Sequence, residues 1–165
     1  MPQSRFWAGK ARQFRAHVLA RVPPDEHQVL TAWTRPAELA LFDAMHIADR
    51  RHGLDVVAYL RRAGVTDRDV LAAALLHDCG KGDAGWPPRV AWSLGEALGP
   101  WVWALARRLP GWSDAMARLR DHAELSADAV AKVGLPPRAV TLVREQAAPS
   151  DPEFGRVFHA ADEAC

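Results

Sequence analysis

Apolar residues recur at intervals of three and four in nearly every segment of this chain between prolines and glycines. No stretch of useful length alternates apolar and polar residues with the period of two that marks a half-buried strand. The spacing therefore predicts an all-α protein that folds as a compact multi-helix bundle. The predicted helices cover Ser4–Ala20, Glu26–Trp33, Pro36–Ala63, Asp67–Asp78, Pro88–Leu109 with a break at Gly99-Pro100, Ser113–Lys132, Pro136–Gln146 and Pro152–Ala164.

Length and charge limit what the chain can be. Its 165 residues fit one domain, and we predict a single domain over 1–165 with residues 1–35 as an N-terminal helical extension. The formal net charge of +1 does not provide the field that non-specific nucleic-acid binding needs. Cys79 and Cys165 form no paired spacing, which favours a reducing compartment. Because neither a secretory signal nor a membrane-spanning segment is apparent, the sequence predicts a cytoplasmic protein.

An imidazole and a carboxylate stand side by side where the apolar run Val70–Leu76 ends, in the sequence His77-Asp78-Cys79-Gly80-Lys81. Divalent metals accept both of these ligand types. A lone His-Asp pair is common, so a metal site needs further ligands from other helices. Three such residues lie on the apolar, inward faces of their predicted helices: His52, His122 and Asp162.

Buried histidines and aspartates need partners. The ordinary partner of a single core histidine is a neighbouring hydrogen-bonding group. We expect no lysine or arginine on the inward faces to neutralise Asp78 and Asp162, and a divalent cation would offset their desolvation cost. The pattern therefore predicts a metal held by His52, His77, Asp78 and Asp162. The alternative is a structural helical protein in which these residues only bond one another.

The block from Leu75 to Lys81 resembles the defining motif of the HD-domain metal-dependent phosphohydrolases. In that family an isolated histidine lies upstream and an isolated aspartate lies near the end of the domain, and His52 and Asp162 match them. Further similarity to small bacterial HD-domain proteins covers most of the chain: Ala44–His52 resembles their M…D-x-x-H helix, Trp92–Pro100 their connecting helix, and His122–Ala127 their H-P-E-x-G-A segment. The resemblance implies an HD-domain bundle.

The resemblance also implies a set of metal ligands. By position, His52, His77, Asp78 and Asp162 are the primary ligands of a divalent ion, which is left open as Mn, Fe, Co, Ni, Zn or Mg. In relatives with two metals, the residue at Asp78 bridges the ions and the one at His122 helps to hold the second. Here Gln146 and Ala147 follow Arg144-Glu145 where the family commonly has histidine. Glutamine is a poor ligand for divalent ions, so we expect a single metal with His122 beside it.

Four residues are predicted to act in catalysis: Asp78, Lys81, His122 and Asp49. Lys81 follows the end of its helix, where it either contacts a phosphate or is an ordinary exposed lysine favourable to the helix dipole. His122 is expected to protonate the leaving oxygen or to contact the substrate. Asp49, one turn before His52, is expected to orient that imidazole or the water.

The predicted function is hydrolysis of a small-molecule phosphomonoester or phosphodiester, with a nucleotide as the favoured class, by metal-activated water. The alternative is a non-catalytic HD domain that binds a nucleotide or a protein as a regulatory module. We expect no nucleic-acid partner and no membrane span, and a homo-oligomer is possible. Five of the seven tryptophans lie between residues 86 and 112, where core packing is the default interpretation and a base-stacking wall or a partner surface are alternatives.

Overall fold

The computed structural model describes residues 20–165, and every regular element in that part of the chain is helical. The predicted all-α class is therefore confirmed. In chain order the α-helices are α1 (Pro24–Thr31), α2 (Pro36–Asp43), α3 (Ile47–Arg62), α4 (Arg68–Leu76), α5 (Trp86–Leu98), α6 (Pro100–Ala106), α7 (Trp112–Arg120), α8 (His122–Lys132), α9 (Pro137–Arg144) and α10 (Gly155–Ala164), and a 3₁₀-helix (Cys79–Lys81) follows α4. The helix predicted over Ser4–Ala20 lies outside the described residues apart from Ala20, which is not helical.

Helix α4 forms the centre of the main core. All its residues from Val70 to Leu76 are buried, and an apolar run of this kind needs neighbours on every side. Helices α3 and α9 pack along it, α2 and α8 add contacts, and α10 packs on α3. Asp67 caps α4 by accepting hydrogen bonds from the backbone N–H groups of Asp69 and Val70. This packing carries His77 and Asp78, which follow α4 directly, into the interior of the bundle.

The predicted bounds are wrong for two helices, because each of them is two helices with a break. The predicted Pro36–Ala63 helix is interrupted at His46, which has an extended backbone and whose Nδ1 accepts a hydrogen bond from the N–H of Ala48. The predicted Ser113–Lys132 helix is interrupted at Asp121, where φ is −99° and ψ is 9°. Apolar spacing continues across both breaks, so periodicity alone could not locate them. The predicted break at Gly99-Pro100 is confirmed.

Two glycines allow the close approach of the segments that carry the candidate ligands. A Cβ atom on Gly53 in α3 would lie 2.4 Å from the carbonyl oxygen of Leu75 in α4, so these helices meet through their backbones. A Cβ atom on Gly80 would lie 2.4 Å from the carbonyl oxygen of His122. The Gly80 N–H also donates to Ser126 Oγ at 2.8 Å. The 3₁₀-helix therefore lies directly on the first turns of α8.

Helices α5, α6 and α7 form a second, smaller core around Ala84, Ala106, Met116 and Leu119. Trp92 and Trp103 pack against it and stack on each other, with ring centroids 4.7 Å apart. Core packing is confirmed for these two tryptophans, whereas Trp86 and Trp101 are exposed. None of the helices within residues 20–165, including those of this apolar segment, has the length and hydropathy needed to cross a membrane.

Candidate metal centre

Three helices bring His52, His77 and Asp162 together. His52 lies in α3, His77 follows the last residue of α4, and Asp162 lies near the end of α10. Asp162 Oδ1 is 2.9 Å from His52 Nε2 and 3.2 Å from His77 Nε2. One ligand atom from each of the three residues lies within 4.8 Å of the other two. A divalent ion that bonds to nitrogen and oxygen at about 2.0–2.2 Å fits between such atoms.

The orientation of the His77 ring is fixed by the backbone. Its Nδ1 lies 2.8 Å from the carbonyl oxygen of Ala74, and because a carbonyl can only accept, Nδ1 carries a hydrogen. Its Nε2 is buried and lies 3.2 Å from Asp162 Oδ1, a contact that falls outside hydrogen-bond geometry. Metal-ligating histidines commonly donate their other ring N–H to a carbonyl, which fixes the tautomer. The buried Nε2 is therefore the atom of this cluster that best fits a metal ligand.

Asp78 lies beside this group of three rather than within it. Its Oδ2 is 3.7 Å from His77 Nε2 and 2.5 Å from Lys81 Nζ, and its Oδ1 is 3.7 Å from His122 Nε2. The expectation that no basic side chain neutralises Asp78 is wrong, because the 3₁₀-helix turns Lys81 back onto the carboxylate three residues before it. Three of the four predicted ligands are thus gathered at one point, and the fourth is adjacent and paired with Lys81.

The charges in this cluster shift one another's protonation. Burial by itself lowers the pKa of His77, but Asp78 and Asp162 outweigh it and raise the pKa to about 9. Burial raises the pKa of the Asp78 carboxyl, yet Lys81 and His77 hold it well below its usual range. His52 and His77 have the same effect on the pKa of Asp162. In the metal-free protein the two carboxylates are therefore balanced by Lys81 and a protonated His77.

His122 is held in the same manner as His77. Its Nδ1 lies 2.7 Å from the carbonyl oxygen of Leu119, which leaves Nε2 facing Asp78. Burial and then the nearby Lys81 ammonium lower the pKa of His122, so the imidazole is neutral near pH 7. A neutral Nε2 offers a lone pair, which suits a proton acceptor or a metal ligand. The role of proton donor stays a prediction, and the lowered pKa does not favour it.

A buried ion pair beside the cluster could not be found from the sequence. Arg89 donates from both terminal nitrogens to the two carboxylate oxygens of Asp49 at 2.7 Å, and also to the Gly82 carbonyl oxygen at 2.9 Å. Both side chains are more than nine-tenths buried. Asp49 therefore contacts Arg89, while His52 Nε2 contacts Asp162. The proposed catalytic part of Asp49 stays a prediction.

Gln146 follows the end of α9 and is buried. Its side-chain nitrogen has no hydrogen-bond partner, and its backbone carbonyl lies 3.2 Å from Nδ1 of His159. Within residues 20–165, His52, His77 and Asp162 form the only group of three or more His, Cys, Asp or Glu side chains that could hold a metal ion. The expectation of one metal rather than two stays a prediction.

Metal binding should strengthen as the pH rises from about 6.5 towards 8.5, because His77 must lose a proton to become a ligand. With its pKa raised to about 9, His77 is protonated in the metal-free protein over this range. We expect close to one proton released per metal bound, and about tenfold tighter apparent binding per pH unit. Titration calorimetry in two buffers of different ionisation enthalpy measures the number. Binding that releases no proton at about pH 7 would show that His77 is not a ligand.

The resemblance to HD-domain proteins stays a prediction from the sequence, and it rests on the motif block around His77, the separate residues His52 and Asp162, and the three longer stretches. Two of these histidines and the terminal aspartate meet in the structure, although they are distant in the chain. A comparison of the chain with models of known protein families, with curated proteins and with solved structures found no match.

Proposed function

We propose that this protein is a metal-dependent phosphohydrolase that holds one divalent ion through His52, His77 and Asp162, with Asp78 as a further ligand. The observation that carries the proposal is the convergence of three ligand atoms: Asp162 Oδ1 lies 2.9 Å from His52 Nε2 and 3.2 Å from the buried Nε2 of His77. A bound divalent ion supplies Lewis-acid activation of water and neutralises charge on a phosphoryl group. The proposed substrate is a small-molecule phosphomonoester or phosphodiester, and nucleotides are the first class to test.

Lys81 binds the substrate phosphate in this proposal. Burial lowers the pKa of Lys81, but Asp78 and Asp49 outweigh it and raise the pKa above its ordinary value, so the ammonium stays charged. The side chain is about one quarter exposed, whereas that of Asp78 is almost fully buried. Part of the Lys81 side chain is therefore open to solvent, and in the proposal an anionic substrate reaches the ammonium from that side.

His122 has a second part in the proposed site. Its Nδ1–H is held by the Leu119 carbonyl, so its Nε2 keeps a fixed direction towards Asp78. As a neutral imidazole it can accept a proton or a hydrogen bond from the substrate or from water. Ser126 supports this arrangement, because it accepts a hydrogen bond from Gly80 and so fixes the 3₁₀-helix on α8.

A regulatory module that binds a nucleotide or a protein without cleaving it is the second candidate. Two observations favour it. The cluster is balanced in charge without a metal, through Lys81 and protonated His77. A buried glutamine, Gln146, also stands where a further metal ligand was expected from the resemblance.

The Lys81→Met variant is expected to lose about 10- to 100-fold in kcat/KM while it keeps its metal. The ammonium contacts the substrate in the proposal, and its removal leaves Asp78 freer to bind a cation. The assay is a panel of nucleotides, cyclic nucleotides and generic phosphoesters with added Mn²⁺, together with elemental analysis of each protein. Lys132→Met is the matched control, because Lys132 is exposed at the end of α8.

The outcomes of this panel separate the candidates. Turnover that requires added metal and falls in Lys81→Met supports the phosphohydrolase. Equal turnover in Lys81→Met and Lys132→Met would show that Lys81 does not bind the substrate. If metal-replete protein binds one of these compounds tightly and cleaves none of them, the phosphohydrolase proposal is rejected and the regulatory module is supported instead.

A further inference from the structure

Most of the large apolar side chains that face solvent in the described part of the chain lie on one segment. Of the eight exposed large hydrophobic residues within residues 20–165, six fall between Trp86 and Leu109. All six belong to α5, α6 or the turn after α6. Trp86 is the first residue of α5, and we name the other five the hairpin patch: Leu94, Leu98, Trp101, Leu105 and Leu109. Single exposed apolar residues are ordinary, whereas several on one small element mark an interaction site.

Packing inside the hairpin explains why these side chains face outward. Helix α6 folds back on α5 after Gly99, whose φ of +110° suits glycine. Trp103 stacks on Trp92, and its Nε1 donates to the Trp92 carbonyl at 3.0 Å. A Cβ atom on Gly95 would lie 1.9 Å from the Trp103 indole nitrogen, so the inner side of the hairpin is full. The hairpin patch therefore cannot turn inward without displacing the stacked pair.

We propose that the hairpin patch is the interface of a homodimer, in which a second copy of this chain presents the same patch across a two-fold axis. The exposed fractions of the five side chains run from 38% for Leu94 to 61% for Trp101. They sum to on the order of 500 Å² of apolar surface per copy. Two such patches approach the roughly 1,000 Å² that a specific interface needs, before any rim contact is added.

The charges around the hairpin patch favour a second copy over a lipid surface. The exposed basic residues of this segment are Arg107 and Arg108, which follow α6. Recognition of an anionic bilayer uses clusters of about four to eight Lys or Arg residues. The third basic residue of the segment, Arg89, is buried in its pair with Asp49.

The Leu105→Glu variant tests the interface, with Val29→Glu as the matched control. Leu105 and Val29 are both more than half exposed, but Val29 lies on α1, outside the hairpin patch. Analytical ultracentrifugation of the full chain at about 1–100 µM should show a dimer for the wild type and for Val29→Glu. Leu105→Glu should raise the dimer dissociation constant by about 100-fold or more, since two glutamates would be buried against apolar surface.

A cross-linking variant keeps the test decisive if Leu105→Glu folds poorly. Trp101→Cys in a Cys165→Ser background should form a disulfide-linked dimer on mild oxidation, whereas Val29→Cys in that background should not. Cys79 should not interfere, because burial raises the pKa of its thiol to about 12.

Three results would overturn the homodimer. The first is a wild type that stays monomeric throughout the concentration range. The second is a Leu105→Glu variant that dimerises as tightly as the wild type. The third is monomeric protein that sediments with anionic vesicles and depends on Trp101 to do so. None of these outcomes depends on metal binding or on hydrolysis, so this inference stands or fails apart from the proposed function.

Discussion

The Asp162→Ala variant is expected to bind a divalent ion at least about 1,000-fold more weakly than the wild type and to lose hydrolysis in proportion. Asp162 Oδ1 is the atom that both histidines approach, at 2.9 Å from His52 and 3.2 Å from His77. Its removal leaves the two imidazoles with Asp78 as the remaining anionic ligand, and Asp78 is already paired with Lys81. Loss of a residue that only supports a ligand already costs about 10- to 100-fold, so loss of the ligand itself should cost more.

Metal titration and elemental analysis of protein purified without chelator measure the effect. Glu163→Ala is the matched control, because Glu163 is the next residue of α10 and is exposed. It should keep its metal and its activity. One equivalent of metal retained by Asp162→Ala would show that this carboxylate is not a ligand of the ion.

The Arg89→Ala variant is expected to lose about 3–5 kcal/mol of unfolding free energy. The substitution leaves the Asp49 carboxylate buried with neither of its two hydrogen bonds from Arg89, and it removes the donor to the Gly82 carbonyl. A buried charge without a partner is far more costly than the loss of a surface pair. For a domain with a total stability of about 5–15 kcal/mol, such a loss is a large fraction of the whole.

Urea unfolding followed by circular dichroism measures this loss. The control is Arg144→Ala, since Arg144 pairs with Glu124 and Asp128 and all three side chains are well exposed, and it should cost about 1 kcal/mol or less. The double variant Asp49→Ala/Arg89→Ala should be less destabilised than the sum of its single variants, because no charge is then left unpaired. An Arg89→Ala protein as stable as Arg144→Ala would mean that the pair does not bear on folding.

The fold class could be predicted because helical spacing is a local property of the sequence. The run Val70–Leu76 is apolar on every side, and it forms the buried centre of the bundle. The breaks at His46 and Asp121 could not be predicted, because the apolar spacing runs through both of them. At His46 a side-chain cap starts the new helix, and such caps depend on a few atoms that periodicity does not register.

Part of the candidate site could likewise be predicted from the sequence, and part of it could not. The sequence indicated His52, His77 and Asp162 through their inward helical faces and the motif around His77, and these three meet. The two ion pairs near the site, Asp78–Lys81 and Asp49–Arg89, differ in how far the sequence could indicate them. Lys81 follows Asp78 by three residues, a spacing visible in the sequence that a 3₁₀-turn converts into contact.

Arg89 and Asp49 are 40 positions apart, and only the tertiary fold brings the first turn of α5 within reach of the first turn of α3. Neither helix has a sequence pattern that predicts this ion pair. The same holds for Gly80, whose contact with Ser126 depends on how the 3₁₀-helix meets α8. Long-range pairing of this kind follows from the tertiary fold, which a single sequence does not specify through local spacing.

Anomalous diffraction from crystals of the full chain grown with Zn²⁺, recorded on both sides of the zinc absorption edge, is the most direct test of the metal centre. We predict one strong anomalous peak per chain at about 2.0–2.2 Å from Nε2 of His52, Nε2 of His77 and a carboxylate oxygen of Asp162. A peak bound by other residues, or none at this cluster in crystals that contain zinc, would contradict the assignment.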